Sequence, residues 1–411
     1  LVINVKVRNS FLDPGVLLVI FTYFSIAPIL LASSFDLFLM PPYWRIFETE
    51  NLLSVLELNA LFLICFSVIY FFGGKIFKQD GKIPLTSKIH LNNTWIAVWL
   101  FLLFLAYCGK LFNINIYILS FIANFETAAS IIAVGVIMCK MNSVFITRLV
   151  GVLLLFIMLF IIGPAISIDE EVTYVANKGG ALALALGSFA YADRVKWNGK
   201  LISGKIMLMA IPASMLLLGL ANFAEDILAG GNSGIFGLLT YIALAFEPRQ
   251  IENISIVTNW IDSGREQLIY GSSYINSLIE MVYPLYPHTV LSDWFVIKLF
   301  GQSWLDAGIG FSFSPIAEGY LNFKLFGVFI ASIFCSVIAL IIRMFYISNK
   351  FWLVGPFLYA NTIRISYYLY RSDSEAVLKR LEYSVLNIVV LLLFYIALRD
   401  IILSNVKNNF N

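Results

Sequence analysis

Residues 325–346 read LFGVFIASIFCSVIALIIRMFY, twenty-two positions of which Arg343 alone carries a charge. As a helix this run is about 33 Å long at roughly 1.5 Å per residue, enough to cross a hydrocarbon core of about 30 Å. It is too long and too uniformly apolar for a barrel strand, and backbone groups in lipid must be satisfied within the segment, so a helix is expected. Nine further runs of similar character lie near Val16–Met40, Leu52–Phe72, Trp95–Phe112, Tyr117–Cys139, Leu149–Ile168, Val175–Ala192, Ile206–Phe223, Leu353–Tyr370 and Tyr383–Leu398. Glu126 interrupts the fourth run of the ten, and the sixth has a short core. The predicted fold class is therefore an all-α polytopic membrane protein of about ten transmembrane helices.

Composition agrees with this. Of 411 residues, 60% are hydrophobic and 13% charged, and the mean hydropathy is +0.87. Soluble domains are about half apolar and a quarter charged, and a water-soluble fold could not bury this excess. The net charge of +2 says little by itself. The placement of basic residues says more. One alternating set of short loops and tails holds Lys6, Arg8, Lys75, Lys78, Lys82, Lys88, Lys140, Arg148, Arg194, Lys196, Lys200, Lys205, Arg343, Lys350, Arg399 and Lys407, sixteen of the 27 basic residues. The opposite early loops hold Arg45 and Lys178. Both termini are thus expected in the cytoplasm. The first apolar run is too long for a cleavable signal peptide. Cys65, Cys108, Cys139 and Cys335 sit in or beside apolar runs without a CxxC pair, as small buried hydrophobes do.

The expected organisation has three parts. Residues 1–223 form an N-terminal bundle of about seven spans, 224–324 a large outward loop, and 325–411 a C-terminal bundle of about three spans. Within the loop, residues 234–246 (GIFGLLTYIALAF) are apolar but short, as in an interfacial helix. A long loop late in the chain is a usual place for function. No P-loop, HExxH, DxD-like pair or Gly-rich nucleotide fingerprint occurs in the membrane part, which argues against nucleotide-driven chemistry; no metal ligand set and no cofactor are predicted.

Two clusters of polar residues are candidates for the chemistry. In the ninth run, Arg364, Tyr368 and Arg371 are spaced to share one helix face, with the arginines about 10 Å apart along the axis at roughly 1.5 Å per residue; Arg380 follows. Arginine inside a span is costly and generally has a functional partner, and paired guanidinium groups suit a diphosphate. The bland alternative is snorkelling of Arg371 and Arg380, with Arg364 paired to Glu57 or Glu126. The second cluster is the loop, where Arg249, Arg265, His288 and Glu318 stand among other carboxylates and Trp260, Trp294 and Trp304. Carboxylates interleaved with aromatic platforms suit sugars; a solvated cap with interfacial aromatics is the plainer reading.

Residues 270–328, YGSSYINSLIEMVYPLYPHTVLSDWFVIKLFGQSWLDAGIGFSFSPIAEGYLNFKLFGV, resemble the O-antigen polymerase family of oligosaccharide repeat-unit polymerases. The resemblance lies in Pro284 and Pro287, in Glu318, Tyr320, Asn322, Phe323 and Gly327 at the entry to a membrane helix, and in Arg371–Asp373. The chain departs from the pattern at Leu285, where the family often has arginine, and at Lys324, where it often has glycine. The resemblance implies transfer of a growing glycan from undecaprenyl pyrophosphate to the next lipid-linked repeat unit, at the outer face of a bacterial inner membrane. Arg371 would neutralise the leaving diphosphate, with Glu318 and His288 as candidate bases and Arg364, Arg265, Arg249, Tyr368 and Arg380 binding substrate. Implied partners are undecaprenyl-pyrophosphate-linked oligosaccharides, the lipid bilayer, a chain-length regulator and a flippase, and no nucleic acid. The rival readings are an O-antigen ligase, which keeps a histidine in a late outer loop, and a lipid-linked oligosaccharide flippase.

Overall fold

The computed structural model of the chain describes residues 12–34, 52–76, 92–111, 116–161, 165–168, 171–174, 178–197, 201–202, 249–283, 286–306, 312–347 and 354–408, with single positions at 216, 219, 220, 223, 224, 227 and 238. Apart from those single positions, the run at 206–223 and the apolar segment 234–246 lie outside the described residues, as does Pro284. The described elements, in chain order, are helices α1 (Pro14–Ser34), α2 (Leu52–Ile76), α3 (Thr94–Leu111), α4 (Ile116–Lys140) and α5 (Val144–Ile161). Strands β1 (Ala165–Ile168) and β2 (Glu171–Tyr174) follow. The remainder are α6 (Lys178–Ala192), α7 (Arg249–Asp262), α8 (Ser272–Val282), α9 (Leu291–Phe300), α10 (Gln302–Asp306), α11 (Pro315–Ile347), α12 (Gly355–Thr362), α13 (Ile365–Arg371) and α14 (Ser374–Asn408).

Among the described residues the regular structure is helical apart from one antiparallel ladder that pairs Ala165 with Tyr174 and Ile168 with Glu171. The ladder's first strand replaces the end of the expected span Leu149–Ile168, and its second precedes the expected span that begins at Val175. The β-branched residues Ile166, Ile168, Val172 and Thr173 favour strand over helix there. Among the described residues three segments are long and apolar enough to cross a membrane: Leu52–Lys75, Pro315–Ile347 and Ser374–Ala397. Their outward faces carry Ile64, Phe72, Phe326 and Leu393, all more than half exposed, which fits lipid better than water.

The residues divide into two compact units. The first comprises 1–77, 204–341 and 365–380. Here α2 and α11 approach closely through small side chains: Ser332 and Ser336 donate to the carbonyls of Phe62 and Phe66 at 3.2 and 3.3 Å. Asp13 caps α1, its Oδ1 accepting from the Gly15 N–H at 3.0 Å and from the Tyr70 hydroxyl at 2.8 Å. Tyr370 of α13 donates to Asn59 of α2 at 2.8 Å. The second unit comprises 78–203, 342–364 and 381–411. Trp95 is fully buried and stacks on Tyr395 with centroids 4.6 Å apart. Lys196 closes the end of α4 by donating to the Cys139 and Met141 carbonyls.

Two breaks shape the site. Within α11 the backbone leaves the helix at Phe323 (φ −146°) and Lys324 (φ 52°, ψ −135°). Gly319 and Gly327 then lie against each other so closely that a Cβ on either would overlap the other's backbone. The break separates a short helix carrying Glu318 from the long apolar helix that begins at Leu325. The second break falls inside the expected ninth span. Helix α12 ends at Thr362, a turn occupies Ile363–Arg364, and α13 starts afresh at Ile365. Asn361 and Thr362 donate back to the Phe357 and Leu358 carbonyls at 3.0 and 2.7 Å, the kind of bond that bends helices. The expected ninth span is thus two helices, with Arg364 in the turn between them and Tyr368 and Arg371 on the second.

Candidate functional site

The site belongs to the first unit and is assembled around Glu318. This carboxylate is 1% exposed. Its Oε1 accepts from the Ser273 hydroxyl at 2.8 Å and the Ser374 hydroxyl at 2.6 Å, and its Oε2 accepts from the Ser374 N–H at 2.7 Å. One side chain so ties α8, α11 and the start of α14 together. Asn322, one turn further along, donates to Ser273 Oγ at 2.8 Å and accepts from the Gly271 N–H at 2.7 Å. Gly271 has φ 87°, a conformation open to glycine at no steric cost. Helix α14 begins where it does because Asp373 caps it, its Oδ1 accepting from the Ala376 N–H at 2.9 Å. That start precedes the expected tenth span by nine residues and places Glu375, Lys379 and Arg380 on its first turns.

A cavity of about 190 Å³ opens between these segments. Its walls include Ser272, Ser273, Asn276, Ser277, Thr289, Trp294, His288, Glu266, Glu318, Asp373 and Glu375. Neither Lys nor Arg is among the described lining residues. The cavity is therefore acidic, rich in short hydroxyl and amide groups, and carries one indole. Burial raises the Asp373 pKa above the usual carboxylate range; its bond to the Ala376 N–H opposes this, the charge of Glu375 adds to it, and that of Arg380 opposes it.

Beside the cavity stands a four-membered ionic cluster. The Lys379 ammonium bridges Glu280 Oε1 at 2.6 Å and Glu375 Oε1 at 2.9 Å. The other carboxylate oxygens face His288, whose Nε2 is 2.8 Å from Glu375 Oε2 and 3.4 Å from Glu280 Oε2. His288 Nδ1 lies 3.0 Å from the Tyr286 carbonyl, which can only accept, so Nδ1 carries a proton. Burial lowers the pKa of His288, but the bonds to Glu375 and to the Tyr286 carbonyl and the two nearby carboxylate charges outweigh it, and the net shift is upward.

The candidates named from sequence are distributed unevenly. Glu318 and His288 line one cavity. Arg371 ends α13, two residues before Asp373, with its guanidinium 4.7 Å from the centre of the Tyr367 ring. Arg380 stacks on Tyr368 at 3.9 Å and donates to the Ala376 carbonyl at 3.2 Å. Arg265 is exposed and lies over Trp260 at 5.0 Å. Arg364 belongs to the second unit, where its Nη2 donates to Ser384 Oγ at 3.5 Å. Arg249 opens α7, and its side chain lies outside the described residues. Sequence reading gave Asp373 no role beyond closing the Arg371–Asp373 motif, and did not single out Glu375, Lys379, Ser273 or Ser374. The acids and Lys379 fall in the hydrophilic stretch SDSEAVLKR, which looks like a solvated helix start until Glu318 and Glu280 are brought against it. Compared with family models, characterised proteins and solved structures, the chain matches none.

Proposed function

We propose that this chain is a glycosyltransferase that polymerises lipid-linked oligosaccharide repeat units at the outer face of a bacterial inner membrane. In this reading it moves the growing glycan from undecaprenyl pyrophosphate to the next lipid-linked unit. The observation that carries the reading is the cavity beside Glu318: an acidic chamber with hydroxyl and amide groups and the Trp294 indole is chemically suited to a sugar. Glu318 and Leu321, from the stretch that carries the resemblance, line this cavity, and the break at Phe323–Lys324 follows them. Ten spans with cytoplasmic termini are part of the proposal, supported by the three long apolar helices and the loop-by-loop bias of Lys and Arg.

The roles divide as follows. Glu318 already accepts three hydrogen bonds, so it acts as the anchor that positions α8 and Asp373. Asp373, with its raised pKa, is the proton acceptor for the incoming sugar hydroxyl. Arg371, two residues away in the chain, offsets charge developing on the departing diphosphate. His288 within the cavity wall favours the ligase as a second reading.

The test is a surface-polysaccharide gel of a strain lacking the gene, beside strains complemented with the natural chain and with Asp373→Asn. Loss of the ladder with one repeat retained on the lipid core supports the polymerase, and Asp373→Asn should reproduce that loss. Polymer accumulating on its lipid carrier selects the ligase. Loss of both polymer and single repeats points to a flippase.

A further inference from the structure

We infer that Glu280, His288 and Glu375 form a binding site for one divalent transition-metal cation of the zinc type. The Tyr286 carbonyl fixes the proton on His288 Nδ1, so the lone pair of a neutral imidazole at Nε2 points at two carboxylate oxygens. Three lone-pair-bearing atoms therefore converge, with the ligand atoms of these residues all within 4.8 Å of one another. A proton on Nε2 would serve only the 2.8 Å contact to Glu375. It leaves Glu280 Oε2 buried with no hydrogen-bond partner at 3.4 Å, on a side chain more than nine-tenths buried. A cation among the three serves all of them. The 3.4 Å separation is the edge of a tetrahedron with bonds of about 2.1 Å, the usual zinc–nitrogen and zinc–oxygen length, and the 2.8 Å separation of His288 from Glu375 must open by about 0.6 Å to match it.

The outer contacts fit as well. Lys379 holds the opposite oxygen of each carboxylate, so it orients both ligands and leaves the converging oxygens clear. The Tyr286 carbonyl does the same for the imidazole. One nitrogen and two carboxylate oxygens favour zinc or a similar first-row ion over magnesium or calcium. His288 and Glu375 also line the cavity, so the fourth coordination position opens toward an anionic or hydroxyl ligand there. The cation would bring positive charge to a chamber whose described lining residues include no Lys or Arg. The inference stands on metal binding alone and does not depend on the transferase reading.

The test uses the full chain in detergent, stripped with chelator and titrated with zinc chloride in a calorimeter. One saturable site per chain is expected, weakened at least tenfold in Glu280→Gln and in His288→Ala, and unchanged in His90→Ala, which removes the second of the two histidines. No saturable binding, or undiminished binding in both site variants, overturns the proposal. If His288→Ala does not fold, X-ray absorption on zinc-loaded His90→Ala protein decides it. Imidazole with oxygen supports the site, and sulfur in the shell places the metal on a cysteine and overturns it.

Discussion

Replacing Lys324 by glycine should stabilise this protein, although it removes an ion pair. Lys324 holds φ 52° and ψ −135°, close to the first central position of a type II′ turn, which L-residues other than asparagine and aspartate rarely adopt. Such conformations cost about 1–3 kcal/mol. Glycine removes that strain and gives back roughly 0.5–1 kcal/mol through the greater freedom of the unfolded chain. The pair between Lys324 Nζ and Asp262 Oδ1, 3.1 Å long with both side chains about half exposed, is worth about 0–1 kcal/mol. The balance is a gain of about 1 kcal/mol, which for a chain this large should raise the melting temperature by roughly 1–3 °C. Lys324→Ala loses the same ion pair but keeps the strain, so it should melt at or below the natural protein. The assay is a tryptophan-fluorescence melt of the three proteins in one detergent. An alanine variant as stable as the glycine variant would refute the reasoning, because backbone strain could not then be the source. The same position is where the polymerase pattern often has glycine, so the departure noted in the sequence becomes a measurable local cost.

Further outcomes follow from the same contacts. Glu318→Ala removes the shared acceptor of Ser273 and Ser374 and should lower stability by about 3 kcal/mol or more, while Glu318→Gln should lose less; chemical denaturation in detergent orders the two. Gly327→Ala should be as damaging as Glu318→Ala, since its Cβ meets the Gly319 backbone, and an unchanged melting temperature would show that the two helical stretches of α11 do not pack this way. Arg371→Ala should abolish polymer while leaving the amount of inserted protein unchanged, and a normal ladder would remove this arginine from the mechanism. A cysteine at the exposed Ser263 should react with an impermeant thiol reagent in intact spheroplasts; protection from it would invert the proposed topology.

What hydropathy could reveal and what it could not are physically distinct. A run such as 325–346 declares itself because a span needs only one property, apolarity over about 20 residues, and each residue contributes independently. The short helix before it does not declare itself. Its end at Phe323–Lys324 depends on the contact of Gly319 with Gly327, a pair whose spacing has no meaning until the chain bends. The ninth run shows the opposite failure, because hydropathy reads straight through Asn361 and Thr362 while their back-bonded side chains interrupt the helix.

The site was legible only in part for a related reason. Glu318 and His288 could be picked out as titratable groups at the edges of apolar runs, but what each does is decided by partners far away in sequence. Ser374 lies 56 residues from Glu318, and Glu375 lies 87 from His288. Those partners give Glu318 three hydrogen bonds and bring His288 against Glu280 and Glu375. The arginines carried the reading from sequence because a guanidinium in a span is expensive wherever it points. In the fold Arg371 and Arg380 lie over Tyr367 and Tyr368, and the described lining of the chamber is acidic. A diphosphate entering it would meet carboxylates first, so charge compensation must come either from Arg371 moving in with the substrate or from a cation held by Glu280, His288 and Glu375. The two make opposite demands on a chelator: only the second loses activity when the metal is stripped and regains it when zinc is restored.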